Sequence, residues 1–310
     1  MLDGTSKAFF HLLAGNARLK DLASRYGMRT PSSFARRFIA GETVNEAIAA
    51  ARTIEATGLR QTLDYLGESV ASADEAAAAT REYLRVVDAV RQSGIGRNLS
   101  LKLTQLGMSV DRSYAVANLR RILDAADGFF VRIDMESSAY TDITLEVFET
   151  LWQEGYRQVG VVLQSDLLRT ERDVRRMNEL GTRVRLVKGA YKEPDEVAHQ
   201  HKADVDAAFV RDMQLLLTGG HYPAIATHDS RMIETTCRFA ADRHLGNEGF
   251  EFQMLYGIRR DLQAALVKKG YRVRVYVPFG REWFPYFMRR LGERPANLAF
   301  VLGSLVSEAR

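Results

Sequence analysis

Three observations predict an α/β fold, a (β/α)8 TIM-type barrel behind an N-terminal helical arm. Eight short apolar or alternating runs follow one another along the chain. Between them lie stretches of helical period, several opening on Asp, Ser or Thr and closing on Gly, as helix caps do. The runs start roughly every 20 to 45 residues, which leaves room for one crossover helix each.

Residues 1–58 hold no strand candidate and form the expected arm. Within it, "GETVNEAIAAARTIEATG" carries a capping box, Thr43 with Glu46, and stops at Gly58. Residues 59–310 form the expected barrel. Its strands are "TLDYLG", "LSLKLTQLG", "FFVRIDME", "VGVVLQS", "RVRLVKGAY", "PAIATHD", "FEFQMLYG" and "RVRVYVPFG". Helical stretches such as "ADEAAAATREYLRVVDAVRQSG" and "DITLEVFETLWQEG" separate them. A doubly wound sheet is the competing architecture, but "LGESV" stands after the first strand where a glycine-rich phosphate loop is required.

The chain has 310 residues, 46% of them hydrophobic and 26% charged, enough for one sizeable core. A net charge of +4 comes from scattered pairs such as Arg36-Arg37, Arg175-Arg176 and Arg259-Arg260. No like-charge block suggests nucleic-acid binding. The lone Cys237 excludes a disulfide framework and fits a reduced, cytoplasmic setting. No run approaches the ~18 apolar residues of a membrane helix.

Active groups of such barrels gather at the C-terminal strand ends. Here these ends carry Lys102, Asp134, Glu136, Gln164, Arg185, Lys188, Tyr191, Thr227, His228, Asp229, Gln253 and Tyr276. Singly, each reads more plainly as a solvated, ion-paired or capping residue than as a catalytic one. Together they need partners, and a ligand supplies them. After the last strand, "YFMRRLGERP" places Tyr286, Arg289, Arg290 and Glu293 on adjoining helix stripes. Paired guanidinium forks make a carboxylate or phosphate clamp, although a solvated ion-pair face is the plainer reading of this stretch alone. Cations outnumber acids at the mouth, so a ligand with negative charge is expected. No metal-spaced cluster occurs and no metal is expected.

Taken in order, "SLKLTQLG", "VRIDME", "VGVVLQS", "RVRLVKGAY", "ATHD", "FEFQMLYG", "VYVPFG" and "YFMRRLGERPAN" resemble the motifs of the proline dehydrogenase family, over roughly residues 60–305. The family includes the barrel of the bifunctional proline utilisation A proteins. The resemblance implies an FAD-dependent enzyme of proline catabolism that oxidises L-proline to Δ1-pyrroline-5-carboxylate. Hydride passes from the ring carbon next to nitrogen to flavin N5, and electrons then pass to a membrane quinone. By the same resemblance Arg289, Arg290 and Lys102 bind the substrate carboxylate, with Glu293 orienting the arginines and Glu68 partnering Arg289. Asp134 and Tyr276 surround the ring and amine, Leu255 and Tyr191 form apolar walls, and Tyr286 packs over the far ring carbon. Arg185 falls near N5 and Lys188 near the pyrimidine edge. Met135, Gln164, Gly189, Ala190, Thr227 and His228 complete the flavin contacts. Asp134, Arg185 and Tyr276 are the catalytic candidates. Ser165-Asp166 departs from the family's usual Ala-Tyr after the glutamine.

The resemblance further implies a monofunctional enzyme whose product passes to a separate pyrroline-5-carboxylate dehydrogenase. Contact with the inner face of the membrane stays open, as does the role of a C-terminal helix carrying Phe300, Leu302 and Leu305. Two rivals remain at this point. One is a barrel aldolase with Lys188 as Schiff base. The other is a non-catalytic barrel that binds anions.

Overall fold

A computed structural model describes Met28 and residues 33–293. Eight parallel strands close into a barrel in chain order, β8 returning to pair with β1. They are β1 (Arg60–Tyr65), β2 (Asn98–Leu101), β3 (Phe130–Ile133), β4 (Val159–Gln164), β5 (Arg183–Val187), β6 (Ala224–Ala226), β7 (Glu251–Leu255) and β8 (Val273–Phe279). Each overlaps one of the runs expected from sequence: six lie wholly inside, while β1 starts two residues and β2 one residue before its run. Nine α-helices are described: α1 (Val44–Glu55), α2 (Ala73–Ser93), α3 (Arg112–Ala125), α4 (Thr141–Gln153), α5 (Thr170–Leu180), α6 (Lys202–Gly219), α7 (Ser230–Asp242), α8 (Arg260–Lys268) and α9 (Trp283–Glu293).

Local chemistry sets several helix starts. The Thr43 and Glu46 side chains form the expected capping box of α1. Ser72, Asp111 and Asp229 cap α2, α3 and α7 by accepting backbone N–H bonds. The apolar faces of the helices pack on the outward, odd-numbered side chains of strands such as β1 (Leu63) and β8 (Val273, Val275, Val277), all buried. Cys237 sits half-buried on α7. Among the described residues no helix is long and apolar enough to cross a membrane.

The barrel interior departs from the usual filling of branched aliphatic side chains. Strands alternate faces, so residues two apart share the inside. That parity puts Asp64, Ser100, Arg132, Asp134, Arg185, Glu251, Gln253, Arg274 and Tyr276 within the barrel, and all but Arg274 and Tyr276 are fully buried. Arg185 on β5 reaches Ser100 on β2, Asp134 on β3 and Gln253 on β7, none an adjacent strand. These bonds cross the interior and tie its walls together.

A second apolar cluster seats α9 over the barrel. Phe38 and Ile39 from the segment before α1 pack with Leu66, Trp283, Phe284 and Phe287. The fully buried Trp283 ring lies 5.9 Å from Phe287, and its Nε1 donates to Glu42 at 3.1 Å. Chain preceding the first strand therefore anchors the helix that carries both arginines. Of the expected arm, residues 1–27 and 29–32 lie outside the described residues, as does the expected C-terminal helix with Phe300.

Candidate active site

One cavity of about 490 Å³ opens at the C-terminal strand ends. Lys102, Asp134 and Tyr276 line it together with Arg289, Arg290 and Tyr286 of α9. Tyr191 and Leu255 add apolar wall. The same cavity is lined by Met135, Gln164, Arg185, Lys188, Gly189 and Ala190, and by Thr227 and His228. Residues read from eight segments of sequence thus share one space. Glu293 ends α9, and its side chain lies outside the described residues. Glu136 does not line the cavity: β3 ends at Ile133, and the Glu136 carboxylate turns to accept from the Thr104 N–H.

The α9 arginines differ in their engagement. Arg289 donates to both carboxylate oxygens of Glu68, at 2.6 and 3.3 Å. Burial would lower the Arg289 pKa, but Glu68 outweighs it and holds the value up. The Arg290 guanidinium lies 5.1 Å over the Tyr286 ring, and the residue is only 9% exposed. Across the cavity Lys102 meets Asp64 at 3.4 Å. Burial alone would pull the Lys102 pKa down, yet Asp64 and Asp134 together carry it above its ordinary value. Lys102 therefore stays a cation.

Asp134 accepts from Arg185 Nη1 at 2.7 Å and from the Tyr276 hydroxyl at 2.7 Å. Burial, then the charges of Asp134 and Asp64, push the Tyr276 hydroxyl well above its usual pKa, so it keeps its proton. Lys188 is bonded to Asp206 and Asp229. Two carboxylates around one ammonium suit a fixed cation, whereas a Schiff-base nucleophile must be neutral and desolvated. Behind the wall, the Asp166 N–H donates to the Lys188 carbonyl at 2.8 Å and the Asp166 carbonyl accepts from His199 at 2.7 Å. Gly189, at φ +120°, passes so close that any Cβ would overlap the Asp166 carboxylate. The Asp166 main chain thus ties down the loop that lines the cavity, and its carboxylate packs against Gly189.

Sequence reasoning missed Asp64, Ser100, Glu251, Arg274 and Asp206. Three of these, Ser100, Glu251 and Arg274, share strand parity with residues it did single out, and that parity was the available signal. Glu251 accepts from Arg274 at 2.6 and 3.0 Å and from Gln253 at 2.6 Å. Burial works to raise its pKa, but Arg274 and these hydrogen bonds bring it to about 2. Unfolding restores a value near 4.5, so between these limits the unfolded chain binds the extra proton. Glu251 therefore stabilises the fold fully above pH 4.5 and loses that contribution as pH falls toward 2, in all about 3 kcal/mol. Urea midpoints of the parent chain and a Glu251→Gln variant are expected to converge over that window. Parallel pH dependences would show that Glu251 titrates normally.

The cavity's chemistry fits a planar anionic cofactor beside a small acid. Its wall offers cationic and amide donors with glycine and alanine backbone, and its size lies within the range of small-molecule sites. The proline dehydrogenase family profile matches residues 47–302. Over 301 residues the chain is 42% identical to proline dehydrogenase 1 of Bacillus subtilis (strain 168), covering 96% of this chain and 98% of that protein.

The chain belongs to the proline dehydrogenase family. Another proline dehydrogenase, from Deinococcus radiodurans, is 42% identical over 280 residues, covering 88% of this chain and 90% of its own. The bifunctional protein PutA of Escherichia coli (strain K12) is 27% identical; the match covers 85% of this chain and 23% of PutA. Among solved structures, proline utilization A from Bdellovibrio bacteriovorus inactivated by N-propargylglycine superposes with a TM-score of 0.78 at 27% identity. That match covers 93% of this chain, which spans 36% of the larger one. Membership of the proline dehydrogenase family makes this chain an oxidoreductase, and the barrel is the fold it shares with the larger proteins.

Proposed function

We propose that this chain oxidises L-proline to Δ1-pyrroline-5-carboxylate on FAD, with a quinone as electron acceptor and a pyrroline-5-carboxylate dehydrogenase taking the product. The observation that carries this reading is the meeting of Arg289, Arg290 and Lys102 in the same cavity as Arg185 and the Lys188–Tyr191 wall. The three cations suit a substrate carboxylate, whose planar oxygens match a guanidinium fork. Tyr191, Leu255 and Tyr286 would enclose the apolar ring. Arg185, Lys188, Gln164, Thr227 and His228 would hold the flavin, with Met135, Gly189 and Ala190 packed along it. When bound, FAD supplies the acceptor for the hydride that leaves the ring carbon next to nitrogen.

The chain's own residues contribute orientation and charge. Fixing the acid end holds the ring in one pose, which is worth much of the barrier in a two-partner reaction. Cations on the cofactor side favour the negative charge that accumulates on reduction. The substrate amine must be neutral before hydride departs. Asp134 has both oxygens engaged and Tyr276 retains its proton, so water is the proton acceptor that this arrangement favours. The purified protein is expected to absorb in the visible range as a flavoprotein and to bleach when L-proline is added without oxygen. A colourless preparation that takes up no FAD would refute the proposal.

A further inference from the structure

We infer that Glu251, outside the cavity wall, is a positioning residue that fixes the hydrogen-bonding direction of Gln253 and, through it, the aim of Arg185. This rests on the proposed place of Arg185 beside the flavin. Gln253 lies between the two: its Oε1 accepts from Arg185 Nε at 2.6 Å, and its Nε2 donates to Glu251 Oε1 at 2.6 Å. A guanidinium can only donate and an ionised carboxylate can only accept. One orientation of the intervening amide therefore satisfies both neighbours. Turning it over sets donor against donor and acceptor against acceptor, with Glu251, Gln253 and Arg185 all at most 5% exposed.

Glu251 is held in its accepting form from several sides. Arg274 of β8 grips both oxygens, the Tyr222 hydroxyl donates at 3.1 Å, and Arg60 of β1 stands 4.0 Å away. With Nε committed to Gln253, the two ends of the Arg185 fork point to Asp134 and Ser100. The relay thus runs from the barrel floor to the cavity: Arg274, Glu251, Gln253, Arg185, Asp134. Neutralising Glu251 without changing its shape releases the amide, and Arg185 loses the acceptor that sets its tilt.

The test separates direction from packing. Glu251→Gln is expected to slow flavin reduction at saturating proline about tenfold, the loss of roughly one charge-assisted hydrogen bond, and to leave the KM for proline within about twofold. FAD titrated into apo-protein and read by fluorescence should bind several-fold more weakly. Adding Gln253→Glu restores the polarity, because the new carboxylate at 253 accepts both from Arg185 and from the new amide at 251. Rate and FAD affinity are expected to recover to within about threefold, while Tm stays low because Arg274 has lost its carboxylate. Gln253→Met, which keeps the Glu251–Arg274 pair, should reproduce the loss of rate and affinity should Glu251→Gln fail to fold. A Glu251→Gln protein with low Tm but parental rate and FAD affinity overturns the inference, as does a double variant that does not recover or a silent Gln253→Met. Arg185→Met is the control on the underlying reading: if it too leaves both readouts unchanged, the place given to Arg185 is wrong.

Discussion

Arg290→Met is expected to raise the proline concentration that half-saturates flavin reduction roughly a hundredfold, equivalent to about 3 kcal/mol of lost carboxylate binding. The guanidinium is almost fully buried in the cavity wall and stacked over Tyr286, so its bonds to a ligand form away from water. There a charged fork is worth more than at a surface, and methionine keeps the volume of the stem while removing every donor. Arg289 cannot replace the lost fork, because one N–H on each of its terminal nitrogens is already committed to Glu68. Arg290→Lys should recover little, since a point charge lacks the second parallel bond. FAD content should stay at the parental level in both variants. Parental KM in Arg290→Met would remove the clamp from the mechanism.

The strands and the clamp were legible for different reasons. Strand runs announce themselves through apolar content, and capping pairs such as Thr43 with Glu46 punctuate the helices. Tyr286, Arg289 and Arg290 stand out because their spacing is local, within a single helix turn or so. Glu68, 221 positions from Arg289, carries no such signal and entered only through the family resemblance. Asp64, Glu251 and Arg274 carry no signal of their own, since a lone charge in an alternating run normally marks the wet face. In a closed barrel that face is the interior, and the charges there pair with one another. Composition cannot tell these cases apart, because the difference lies in whether the sheet closes. The seating of α9 by Phe38 and Ile39 was equally hidden, being a contact between opposite ends of the chain.

Asp134→Ala is expected to have the second large effect, and on two measurements at once. Asp134 is where the interior network meets the cavity, taking one bond from Arg185 and one from Tyr276. Without it Arg185, 5% exposed, loses the one carboxylate it pairs with among the described residues, and leaving a buried charge uncompensated costs about 3–5 kcal/mol of stability. Urea unfolding should register that loss. Because Arg185 also orients against this carboxylate, stopped-flow reduction of the flavin by proline should slow by roughly a hundredfold or more, the scale seen when a fixed electrostatic group is lost from a catalytic site. Tyr276→Phe separates the two contributions. It removes one hydrogen bond from Asp134 and leaves the ion pair intact, so it should lower stability by only about 1 kcal/mol. If the two variants proved equally stable, the Arg185–Asp134 pair could not be what holds the cavity floor. If Asp134→Ala reduced flavin at the parental rate, the carboxylate would have no part in the chemistry.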